Sequence, residues 1–172
     1  VSTALIGVIV SALVAFVGVP LVLAAMGRRL PPTHEASRSG FVAAPPEKVF
    51  ALLADPKLAP RWRKGVHFVR VIATEPRLRF QERSGQGSLV LEVEEAVAPT
   101  RLVIRTAPMR RMVFSGTWTY ALAPEDDGTR VTLTERGEVR SPVARLFMHH
   151  VLGEATNVNR TIDALQKHFA KR

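Results

Sequence analysis

The hydrophobic pattern divides the chain near residue 27. From Ala4 to Met26 the sequence reads ALIGVIVSALVAFVGVPLVLAAM, without a charge and without the polar positions that would mark one face of a surface helix. At about 1.5 Å per residue, such a run in helical form spans a hydrocarbon core of roughly 30 Å, and it predicts a single transmembrane anchor over residues 1–27. Pro20 removes one backbone donor, which a membrane helix tolerates as a modest kink. A cleaved signal peptide is the rival reading. It would have a basic start and a shorter apolar stretch, whereas Val1-Ser2-Thr3 is uncharged, and only Ala24 and Ala25 resemble a cleavage site.

After residue 27 the pattern changes. Residues 28–34 contain Leu30-Pro31-Pro32-Thr33-His34, a short and stiff connector, and residues 35–172 form the domain proper. Ser37 to Val42 is predicted as a first strand. Pro45 and Pro46 then open a helix carrying Val49, Phe50, Leu52 and Leu53. Asp55-Pro56 ends it, and the Asp55 carboxylate is placed to cap a second short helix reaching Trp62.

Six strand-like segments follow: 66–73, 77–83, 88–96, 101–106, 113–123 and 130–139. The breaks between them carry turn chemistry in Gly85-Gln86-Gly87, Ala98-Pro99, Pro108 and Asp126-Asp127-Gly128. Period-two alternation puts Phe114, Gly116, Trp118, Tyr120 and Leu122 on one face, and Val131, Leu133, Glu135, Gly137 and Val139 on one face of the next strand. Ser141-Pro142 then opens a predicted helix of up to about eight turns. Its apolar stripe is Val151, Ala155, Val158, Ile162, Leu165 and Phe169. The stripe needs an apolar partner, and the sheet face supplies it. The expected class is α+β, with a curved antiparallel sheet of about seven strands around a long C-terminal helix.

This order of elements resembles the START-like superfamily, also called SRPBCC, which includes polyketide cyclase/dehydrase-like and pollen-allergen-type helix-grip proteins. The resemblance covers residues 35 to 172. Its local cues are Gly40-Phe41-Val42-Ala43-Ala44-Pro45-Pro46-Glu47-Lys48-Val49-Phe50, the Asp55-Pro56 break before Arg61-Trp62, and Gly116-Thr117-Trp118-Thr119-Tyr120 ahead of Gly128-Thr129-Arg130-Val131-Thr132. The resemblance implies a helix-grip fold with an apolar cavity between sheet and C-terminal helix, used for lipids, quinones, polyketides or hormones. Only some members are enzymes.

For such a cavity the inward-facing candidates are Phe80, Leu91, Ile104, Phe114, Trp118, Tyr120, Leu133, Val151, Ala155 and Val158, the same side chains that a filled core would use. Glu135 is the exception in chemistry. It lies between Leu133 and Gly137 on the apolar face, where a lone carboxylate is costly unless paired. It is a candidate to orient a ligand hydroxyl or, with Tyr120, to act as an acid/base group. A pairing with an arginine such as Arg105, or a strand end near solvent, is the alternative.

Charge and composition narrow the choice. All 24 basic and 15 acidic residues lie after Gly27, for a net charge of +9, and Arg28 and Arg29 directly follow the apolar run. By the positive-inside rule the large domain is expected in the cytoplasm. Arg61, Arg63, Lys64, Arg110 and Arg111 are then available to anionic headgroups, with Met109-Arg110-Arg111-Met112 placed at a cavity mouth. The absence of cysteine excludes disulfides, thiolate-bound metals and thiol nucleophiles. His149 and His150 point about 100° apart on a helix, and with Glu154 they fit surface contacts better than a metal site. No phosphate loop or nucleophile elbow is present, the scattered basic residues argue against nucleic acid, and no cofactor is expected. The expected function is a membrane-anchored binder of a hydrophobic small molecule. A cyclase/dehydratase-type enzyme and a protein- or RNA-binding interaction module are the alternatives.

Overall fold

The computed structural model describes residues 3–85, 87–108, 114–147, 149 and 155–170. Seven antiparallel strands form a single sheet: β1 (Thr33–Val42), β2 (Val66–Ala73), β3 (Arg79–Ser84), β4 (Gly87–Val97), β5 (Arg101–Thr106), β6 (Phe114–Glu125) and β7 (Gly128–Val139). Their order is β1-β7-β6-β5-β4-β3-β2, so β2 to β7 form a meander and β1 closes onto its last strand. Every strand lies close to its predicted span. The largest shift is in β1, which begins four residues earlier because Thr33 already pairs with Glu138, and His34 with Gly137. His34, read from the sequence as part of a connector, is a sheet residue.

Between β1 and β2 lie α3 (Pro46–Ala54), a 3₁₀ turn (Pro56–Leu58) and α4 (Ala59–Trp62). Asp55 Oδ1 accepts from the Lys57 amide at 3.0 Å, which is the expected cap. In the C-terminal region the predicted long helix is described in two parts. The described residues form α5 (Pro142–Phe147) and α6 (Thr156–Ala170), and Ala155 is a turn residue. Ser141 caps α5 through its hydroxyl and the Ala144 amide.

Along α6, Val158, Ile162, Leu165 and Phe169 are buried at helical spacing against Leu102, Leu133, Leu122 and the α3 residues Val49, Phe50 and Leu53. Polar latches fix the helix to β1. Arg38 pairs with Asp163 at 2.8 Å and donates to the Asn159 carbonyl, and Gln166 donates to the Phe41 carbonyl.

The N-terminal run differs from the single helix expected. α1 (Thr3–Leu13) and α2 (Val19–Arg28) are separated by a π-helical stretch, Val14–Gly18, and among the described residues no helix is long and apolar enough to cross a membrane. Pro20 explains the interruption. It has no N–H for the carbonyl of Phe16 and its ring crowds that carbonyl, so the turn ahead of it widens. The run leaves large apolar side chains exposed, Phe16 at 86%.

Its C-terminal end is joined firmly to the domain. Gly27 is buried where α2 crosses α5, and a Cβ there would overlap the Pro142 backbone. Arg145 donates to the carbonyls of Val139 (2.6 Å), Arg140 (3.1 Å) and Leu30 (3.4 Å). It thereby ties α5, the end of β7 and the segment after α2 together.

Candidate functional site

Strand register builds the site. Ile104, Trp118, Glu135 and Ala36 lie side by side across β5, β6, β7 and β1. In the next row Gly116 pairs with Gly137, which pairs with His34. All share the face toward α6, because side chains two apart along a strand point the same way. Paired glycines leave room on a sheet, and here neighbouring rings use it. A Cβ at Gly137 would overlap the His34 imidazole, and one at Gly116 would press on Phe114 and Trp118. The Phe114 and Trp118 rings sit 6.2 Å apart, tilted by 47°.

At the centre of this face is Glu135, only 4% exposed. Its Oε2 accepts from Trp118 Nε1 at 2.9 Å and from Asn157 Nδ2 at 2.6 Å, so β6 and the first turn of α6 both hold it. Its Oε1 faces His34 Nε2 at 3.5 Å. That nitrogen is buried and has no hydrogen-bond partner among the described residues. The expected arginine partner is not there. Arg105 points to the opposite face, since it follows Ile104 by one residue, and there it donates to Glu92.

The other candidates divide into three groups. Phe80, Leu91, Tyr120, Leu133 and Val158 are buried, the last three within the core cluster beneath α6. Ile104, Phe114 and Trp118 are half-buried and form the accessible part of the face. Ala155 is exposed, contrary to its place on the predicted stripe, because the chain turns there before α6 starts. Val151, His150, Glu154 and the 109–112 segment lie outside the described residues. Among the described residues no three His, Asp or Glu side chains are grouped to hold a metal.

Tyr120 is no base at neutral pH. Burial pushes its phenol up, and the nearby Glu82 and Glu135 charges add to that against the opposing effect of Arg63. Glu82 and Arg63 form a second polar group inside the fold, paired at 2.8 Å beside Trp62, whose buried Nε1 has no partner among the described residues.

An open depression of about 620 Å³ borders the same row of the sheet: His34, Gly116 and Gly137 line it together with Arg105, Ser115, Thr117, Arg136 and Glu138, which alternation places on the outer face. Its cations are already engaged, Arg136 with Glu35 at 3.0 Å, Arg140 with Glu138 at 3.5 Å and Arg105 with Glu92.

Sequence reasoning missed His34 and Asn157. Pro31-Pro32 drew the boundary of the domain just past His34, and Asn157 stands beside the apolar stripe of α6 as an ordinary polar helix residue. The available signal for His34 was its place two residues before Ala36, in phase with Gly40 and Val42.

The same architecture occurs in solved structures. One is TTHA0849 from Thermus thermophilus, 23% identical with a TM-score of 0.66 over 80% of this chain and 98% of that one. A START superfamily protein from Mycobacterium smegmatis is 18% identical with a TM-score of 0.66 over 80% and 98%. The Zhui aromatase/cyclase from a Streptomyces species is 14% identical with a TM-score of 0.65 over 81% and 95%. At these identities the likeness is one of fold. No curated protein matches the sequence at a significant level. The sequence model for polyketide cyclase / dehydrase and lipid transport matches residues 33–170, from the first residue of β1 to the last of α6, and the chain belongs to that family.

Proposed function

We propose that the domain binds a hydrophobic small molecule with one polar end between the sheet and α6, and that the apolar N-terminal helices hold it at a bilayer from which the molecule is taken. One observation carries the binding reading: the Ile104–Trp118–Phe114 face surrounds a buried carboxylate, Glu135, with no Lys or Arg partner among the described residues. A carboxylate kept in apolar surroundings without a Lys or Arg partner adds little to stability, which supports a role toward a ligand. The family supports the same reading.

The bilayer part is supported by the uncharged run of residues 1–27 and its exposed apolar side chains, a surface that water does not favour. The joint at Gly27 and Arg145 keeps the domain next to that surface. Arg28 and Arg29 favour a cytoplasmic domain. A reporter fused at the C-terminus that works only outside the cytoplasm would reverse that orientation.

The decisive test is mass spectrometry of organic extracts from the full chain purified from its own host, beside a Trp118→Ala variant. A stoichiometric hydrophobic compound present in the first and lost from the folded second supports binding at this face. Equal extracts from both refute it. The aromatase/cyclase likeness supports a second reading, turnover of the bound molecule with Glu135 rather than Tyr120 as the proton-transfer group. Glu135→Gln would then retain the compound but leave it unconverted.

A further inference from the structure

Glu135 and His34 present an unfinished pair of hydrogen-bonding atoms, and its geometry specifies a chemical group. Oε2 of Glu135 is taken by Trp118 and Asn157. Oε1 accepts no hydrogen bond from the described residues and lies 3.5 Å from His34 Nε2, and both side chains are more than nine-tenths buried, at 6% and 7% exposure. The buried His34 Nε2, without a partner among the described residues, is destabilising in an apolar setting, and an atom that accepts from it while donating to the neighbouring Oε1 satisfies both. Both rings that confine the pair are fixed by packing. His34 lies over Gly137, and Trp118 is held by its bond to Glu135 and by Phe114.

We infer that the Glu135–His34 pair recognises a neutral hydroxyl on an otherwise apolar ligand, an alcohol, phenol or enol whose O–H donates to Glu135 Oε1 while its oxygen accepts from His34 Nε2–H. This rests on the binding reading above and names the class of molecule for that site. Other polar ends fit less well. A ketone or ether only accepts, which leaves Oε1 without a donor, and a carboxylate is repelled by Glu135. The apolar body lies on Trp118, Phe114 and Ile104, in register with the pair.

The experiment uses the full chain in phosphatidylcholine nanodiscs, with empty nanodiscs subtracted, and two probes of matched shape. 2-Naphthol carries the hydroxyl, and 2-methoxynaphthalene replaces its proton by a methyl group. The wild-type chain is expected to prefer the naphthol by roughly ten- to hundred-fold, the discrimination of a buried site built for an O–H. Glu135→Gln and His34→Phe are expected to reduce that ratio to within about threefold while uptake of the methyl ether persists, which also shows that both variants are folded. His34→Gln, with an amide N–H in place of the ring donor, should restore part of the preference. Equal affinity of the wild-type chain for both probes overturns the hydroxyl assignment and leaves the binding reading standing. Uptake of neither probe overturns the binding reading, and the assignment falls with it.

Discussion

Of the three glutamates the sheet buries, Glu82, Glu92 and Glu135, the last two lie on opposite faces and are treated differently. Glu92, on the outer face of β4, is 1% exposed and receives guanidinium hydrogen bonds from Arg77, Arg79 and Arg105 at 2.5–3.1 Å. Burial alone would raise its carboxyl pKa, but the three arginines outweigh burial and lower it to about 2. Glu135, on the inner face of β7, receives two neutral donors on one oxygen and has beside the other an imidazole whose Nε2 has no partner among the described residues. The first carboxylate is saturated and organises the strands around it. The second has one oxygen that accepts no hydrogen bond from the described residues, which is the capacity the proposed ligand would use. Burial is therefore a poor guide to function, and unfilled hydrogen-bonding capacity is a better one.

The sharpest way to break this contrast is to crowd the inner site from below. Gly137→Ala places a methyl group where the His34 imidazole packs, so either the ring or the strand must move. Overpacking of this kind costs about 1–3 kcal/mol, and thermal unfolding should show it as a clear fall in Tm, accompanied by loss of any bound ligand. A variant that melts like the wild type would mean that the ring shifts freely and that the inner site is not preorganised.

The second test exchanges each carboxylate for its amide. Glu92→Gln leaves three guanidiniums facing a neutral group and should destabilise the fold by about 1–2 kcal/mol, a discounted figure because the arginines remain in contact with water. Glu135→Gln should change stability by less than about 1 kcal/mol in either direction, since no Lys or Arg among the described residues depends on its charge. Denaturant midpoints measured side by side decide it. If the order is reversed, Glu135 is the structural member of the pair.

The difference between these carboxylates was half legible in the sequence. Alternation along β7 places Glu135 on the apolar face with Leu133 and Gly137, and that was enough to single it out. Its partners were not legible, because register between distant segments is set by pairing that a single strand's pattern does not encode. His34 reaches Glu135 only because β1 pairs with β7, and Asn157 only because α6 starts after a turn at Ala155. The Arg105 partner proposed for Glu135 failed for the same reason in reverse. One residue of phase along β5 sends it to Glu92 on the other face. The long helices fared similarly. Period 3.6 identified the α6 stripe from Val158 to Phe169, yet it said nothing about where the helix begins, and an apolar run cannot display the π-helical turn that Pro20 imposes.

The smallest expected effect tests the outer-face carboxylate by pH. A carboxyl whose pKa is lowered on folding contributes stability above its unfolded value, and that contribution is lost as pH falls through the folded value. For Glu92 the window runs from an ordinary carboxylate value of 4.5 down to about 2. Within it, protonation removes the acceptor that holds Arg77, Arg79 and Arg105 together, so stability should fall progressively with acid. In Glu92→Gln the starting stability is lower, and this part of the acid limb should be flatter, because the amide binds no proton. The measurement is urea unfolding at closely spaced pH values between 5 and 2 for the wild type and Glu92→Gln. A wild-type acid limb unchanged by Glu92→Gln would mean that the three arginines are held by the strands alone. The saturated carboxylate would then owe its burial to the sheet around it, and the contrast with Glu135 would rest on the inner site's open hydrogen bonds alone.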